Sequence, residues 1–82
     1  MYKNKAVDGR NNISGERIKV LRQKLPGKVS QRMLADMLQI EGLDIDKNAV
    51  QRIENGQRFV TDIELKIIAR VLQVKYEELL DD

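Results

Sequence analysis

Four side chains between positions 47 and 52 of this 82-residue chain are the obvious candidates for specific recognition: Lys47, Asn48, Gln51 and Arg52. On a helix they share the outer side of two successive turns, while Val50 and Ile53 recur at i, i+3 as a core-facing stripe. Their chemistry is hydrogen bonding rather than bond making. An asparagine or glutamine amide pairs with the edge of adenine, and a lysine or arginine pairs with guanine or with phosphate. Ala49, on the same helix, is the right size to touch a thymine methyl. Catalysis has little to draw on. The chain contains no cysteine and no histidine, which excludes thiol nucleophiles, imidazole bases, zinc fingers and disulfide frameworks. The remaining acid-base groups are carboxylates, lysines and two tyrosines with no convergent spacing. No enzyme activity, metal or cofactor is expected.

The elements that must position these four residues are marked by their boundaries. Asp46 is a capping residue whose side-chain oxygen can accept the orphan amides of a first turn, and Gly56 suits the left-handed residue after a last one. Together they frame a helix over 47–54. Ser30 opens an earlier helix from Gln31 to about Leu38 or a turn beyond, with Leu34 and Leu38 facing inward and small Ala35 allowing a close crossing. Two short amphipathic helices meeting steeply make a helix-turn-helix. Upstream, Ser14 is placed to cap a first helix, with Ile13 as a staple on Ile18, an inward stripe of Ile18, Leu21 and Leu25, and a stop at Pro26-Gly27. Downstream, Thr61-Asp62-Ile63-Glu64 is a capping box opening a fourth helix with Leu65, Ile68, Ala69 and Leu72 inside. A short fifth helix follows from Tyr76 to Leu80, with Lys75 in its cap position.

Length and charge set the scale. Eighty-two residues make one small domain with a single modest core. Residues 1–12 are polar, carry Lys3, Lys5 and Arg10, and have no helical period. They read as a flexible basic arm ahead of a domain over 13–82, either touching DNA or merely solvated. Residues 1–34 hold nine Lys and Arg against two acids, and residues 35–82 hold six against eleven. A basic first half suits a polyanionic partner. No apolar run reaches the roughly 18 residues of a membrane span and the N-terminus is not a signal sequence, so a cytoplasmic location without membrane contact is expected.

From about Ile13 to Leu80 the chain resembles the Xre family of phage-repressor and Cro-type DNA-binding domains. The resemblance is carried by Gln31 at the first position of helix 2, Ala35 at the small position, and Ile53-Glu54-Asn55-Gly56, the sequence that closes the recognition helix. Thr61 through Leu72, then Val74 and Leu79-Leu80, look like the two closing helices. The resemblance implies an all-α, compact five-helix bundle with double-stranded DNA as partner. It also implies that Gln31 bonds a backbone phosphate and braces the recognition helix, and that Arg22 pairs with Glu54 to hold helix 3 against helix 1. Flanking phosphate contacts are expected from Asn55, Gln57 and Arg58, which lie just past the recognition helix, and from Lys28 and Arg32.

One departure is a lengthened turn between helices 2 and 3. Ala35 and Glu54 are 19 positions apart, where the family spaces the matching pair by about fourteen; the extra residues fall within Gln39 to Ile45. Gly42 is placed to end a lengthened helix 2, and Leu43 and Ile45 to fold back over the second apolar stripe, Met33 and Met37. The alternative assigns that stripe to a dimer interface. Glu41 and Asp44 must point away from DNA if the family function holds. The leading expectation is a sequence-specific transcriptional regulator of prokaryotic or phage type, acting as a homodimer on half-sites about 34 Å apart, with Tyr76, Leu79 and Leu80 as the dimer contact. The alternative is a protein-interaction or antitoxin-like module that keeps the fold without reading DNA.

Overall fold

The computed structural model describes residues 12–80, and residues 1–11 of the predicted basic arm lie outside them. Four α-helices follow one another: α1 (Gly15–Lys24), α2 (Gln31–Ile40), α3 (Lys47–Glu54) and α4 (Asp62–Leu72). The fifth predicted helix is a 3-10 helix, Tyr76–Leu79, rather than an α-helix. Four residues are short enough for i→i+3 bonding to suffice. Its start is held by Glu78, whose carboxylate accepts from the Lys75 backbone N–H at 2.6 Å.

The core runs through every element: Ile18, Leu34, Leu38, Val50, Ile53, Ile68 and Leu79 are all but sealed from solvent. The predicted stripes of α1 to α4 all point inward, with Leu21 and Leu25 packing against the core from its margin. Leu79 is only 1% exposed, so it belongs to the core and cannot serve as the dimer contact assigned to it; Tyr76 and Leu80 are half-buried against the same core.

Two helix ends position the site. After α2, Gly42 has φ +96°, the Leu43 N–H bonds the Leu38 carbonyl at 2.9 Å, and the Gly42 N–H bonds the Gln39 carbonyl at 3.0 Å. That is a Schellman ending, which a glycine makes without Cβ strain. The lengthened turn then folds back as predicted: Ile45 is buried, Leu43 packs on the core, and the Gln39 amide donates to the Ile45 carbonyl at 2.8 Å. Met37 packs against the core, but Met33 stays 43% exposed, so the turn does not cover the whole Met33–Met37 stripe as expected. After α3 the same ending recurs. Gly56 has φ +78°, and the Gln57 N–H reaches the Arg52 carbonyl at 2.8 Å.

The start of α1 differs from expectation. Ser14 occupies the cap position but makes no side-chain capping bond, because its backbone is in the helical region. Asn12 caps instead, its Oδ1 accepting from the Gly15 N–H at 2.7 Å. Ile13 is 56% exposed, so it does not act as a staple over Ile18.

Candidate nucleic-acid interface

The α3 helix is held at both ends before any ligand arrives. Asp46 accepts the Ala49 N–H at 2.8 Å, so its charge faces its own helix N-terminus. Val50 and Ile53 anchor the inner side. Ala49 is buried as well, which removes it from the residues that could touch a thymine methyl. One position further round, the 100° step of the helix turns outward. Lys47, Asn48, Gln51 and Arg52 are all exposed there, and the α3 surface they form carries no acid.

At the far end of α3 lies a buried ionic cluster. Arg22 of α1 donates from Nε to Glu54 Oε2 at 2.7 Å and from Nη2 to Oε1 at 3.0 Å, a two-pronged pair. Its Nη1 donates to the Val29 carbonyl at 2.8 Å. Glu54 Oε1 also accepts from Gln31 Nε2 at 3.0 Å. Gln31 therefore braces the recognition helix, as the resemblance implied, and one amide hydrogen remains beyond the one given to Glu54. Among the described residues no buried side-chain polar atom lacks a partner.

Asn12 is the residue that reading the sequence missed. Its amide donates to the Ile53 carbonyl at 3.0 Å and to the Arg58 carbonyl at 2.8 Å while its oxygen caps α1. One buried side chain thus ties the beginning of α1 to the last turn of α3 and to the loop beyond it. The Asn-x-x-Gly spacing from Asn12 to Gly15 was the available signal. Ser14, a residue of equal capping preference, obscured it.

The flanking candidates are less uniform. Lys28 and Arg32 are exposed around the start of α2, with Lys28 at φ +55° behind Gly27. Asn55 and Gln57 are exposed in the turn after α3. Arg58 is half-buried and committed elsewhere: its two Nη atoms donate to the Glu64 carboxylate at 3.2 and 3.0 Å, and Nη1 also reaches the Phe59 carbonyl. Glu64 in turn completes the Thr61 capping box. Burial pushes the Glu64 carboxyl up, but the hydrogen bonds from Arg58 and Thr61 outweigh it and hold the group below its usual value. Glu41 lies against Arg70 of α4 at 3.5 Å, and Asp44 is exposed.

Among the described residues no cluster of side chains suits a metal ion, and no helix is long and apolar enough to cross a membrane. No curated protein and no solved structure matches the chain. A helix-turn-helix family matches residues 18–79, from the middle of α1 to the end of the 3-10 helix, and so takes in α2, α3 and the buried Arg22–Glu54 pair. The chain belongs to the helix-turn-helix family of Cro/C1 type, a family of non-enzymatic DNA-binding domains.

Proposed function

We propose that this protein binds double-stranded DNA in a sequence-specific manner as a small transcriptional regulator of prokaryotic or phage type, with α3 in the major groove. The observation that carries the reading is α3 itself. Four exposed hydrogen-bonding residues, Lys47, Asn48, Gln51 and Arg52, stand on a helix whose opposite side is buried and whose last turn is clamped by Arg22, Gln31 and Asn12. An α-helix with its side chains is about 10–12 Å across, which a major groove about 12 Å wide admits. Gln31, Lys28, Arg32, Asn55 and Gln57 supply register through phosphates, which carry no sequence information themselves. Arg58 would have to leave Glu64 to join them, so its contribution is the smallest of that set.

Two-fold pairing follows from energetics. One eight-residue helix offers few base contacts, and half-sites one turn apart double them.

The test is selection from a randomised duplex pool, followed by fluorescence anisotropy at two salt concentrations, for the wild type and for a Gln51→Ala, Arg52→Ala variant. A palindromic site enriched by the wild type and lost by the variant is the expected outcome. Absence of salt-dependent binding would overturn the reading, because phosphate contacts release counterions. It would favour instead a module that keeps the fold for a protein partner.

A further inference from the structure

We infer that the lengthened turn builds a self-complementary interface for a second copy of this chain, centred on Ile40. Ile40 is 82% exposed, the most exposed large apolar side chain among the described residues. It sits on the last turn of α2 and lines a shallow groove with Met37, Glu41, Arg70 and Val71, so the groove spans α2 and α4. Ile40 and Glu41 lie within the stretch where the turn exceeds the family's usual spacing. The added residues therefore fold the turn back on the core and also extend α2 far enough to set an isoleucine and a carboxylate beside α4. Burial accounts for Leu43 and Ile45 of the same stretch, but it does not account for Ile40.

The charges select the occupant. The groove carries one acid and one base, Glu41 and Arg70, joined by a long 3.5 Å contact with side chains 38% and 68% exposed. So exposed a pair is worth little to one molecule, and its members can exchange partners at little cost. About a two-fold axis each residue's mate meets the same patch in return. Two Ile40 side chains then meet at the centre while each Glu41 faces the other copy's Arg70. A partner of uniform charge would satisfy one of these groups and repel the other. The interface uses no side chain of α3, so all four candidate base-contacting residues stay open. With five lining residues a side it is a small contact of the weak kind, and two adjacent half-sites on DNA would supply the missing effective concentration.

This inference rests on the DNA-binding reading only for its purpose, and its test contains no DNA. Sedimentation equilibrium of the full chain, over a concentration series reaching the millimolar range, should fit a monomer–dimer equilibrium. Ile40→Glu should weaken the dimer by about tenfold or more with an unchanged helical circular-dichroism spectrum. Arg70→Glu alone should weaken it too. The double exchange Glu41→Arg, Arg70→Glu should restore it to within about threefold, because the two-fold pairs are remade. A chain that stays monomeric throughout, a dimer indifferent to Ile40→Glu, or a double exchange no better than Arg70→Glu would each overturn the inference, whatever the chain does with DNA.

Discussion

Glu54 is the residue on which the recognition helix turns, since its buried carboxylate receives Arg22 at 2.7 and 3.0 Å and Gln31 at 3.0 Å. Removing one member of such a pair leaves an uncompensated buried charge, and that costs more than the pair contributes. Arg22→Met should cost about 3–5 kcal/mol, a large part of the roughly 4–12 kcal/mol that a domain of this size has in total. Adding Glu54→Gln should return stability above either single variant, as read from urea midpoints at neutral pH. A double variant less stable than Arg22→Met would show that the Glu54 carboxylate carries no penalty when left alone and would overturn this account. Asn12 allows a sharper comparison, because both of its amide hydrogens meet carbonyl oxygens. Asn12→Ala should cost about 1–3 kcal/mol. Asn12→Asp keeps the cap on Gly15 but sets a carboxylate against two acceptors, so it should be the worse of the two; equal midpoints would refute the double donation. The sequence made the Arg22–Glu54 pair legible through a resemblance that specified both positions. It did not reveal Asn12, whose partners are backbone carbonyls more than 40 positions away and leave no mark on residue type.

Helix α4 depends on a single carboxylate for two tasks. Glu64 closes the capping box with Thr61 and takes the Arg58 guanidinium, fastening the loop after α3 to the start of α4. Its folded-state titration lies below the usual 4.5 because these donors outweigh the burial that opposes ionisation. A depressed value means stability that is fully present above 4.5 and is lost as pH falls through the folded value. The wild type should therefore lose stability in acid by more than Glu64→Gln does, which unfolding midpoints at pH 7 and pH 3 would reveal. Parallel losses in both proteins would remove Glu64 from the acid response. The capping box itself was plain in the sequence, as were the Asp46 and Ser30 caps and the glycines at 42 and 56, because each is a rule about neighbours in the chain. The Arg58–Glu64 pair was not legible for the complementary reason. A guanidinium in a loop is free to seek phosphate or carboxylate, and only the fold sets Glu64 beside it. The last helix was misjudged in kind, since four residues carry too little period to separate an α-turn from a 3-10 turn.

At the scale of the whole molecule, a net charge of +2 is too small to draw the protein to DNA, so attraction must come from where the cations sit. Charge and readout then separate into two measurable quantities. Lys28 and Arg32 are exposed around the start of α2, and their proposed partners are phosphates. Each phosphate neutralised adds about 0.9 to the slope of log affinity against log salt. Replacing either residue with alanine should lower that slope by about 0.9 and weaken all duplexes alike, leaving the preferred sequence unchanged. Gln51 is uncharged, and its proposed partner is a base edge. Gln51→Ala should leave the slope where it is and relax discrimination at one base pair by about 1–3 kcal/mol. Anisotropy titrations of the three variants on a matched and a singly mismatched duplex, over a range of salt, give both quantities at once. A slope that does not respond to Lys28→Ala or Arg32→Ala would move the start of α2 out of the interface, and a Gln51→Ala variant that weakens the matched and the mismatched duplex equally would mean that α3 meets the backbone rather than the groove floor.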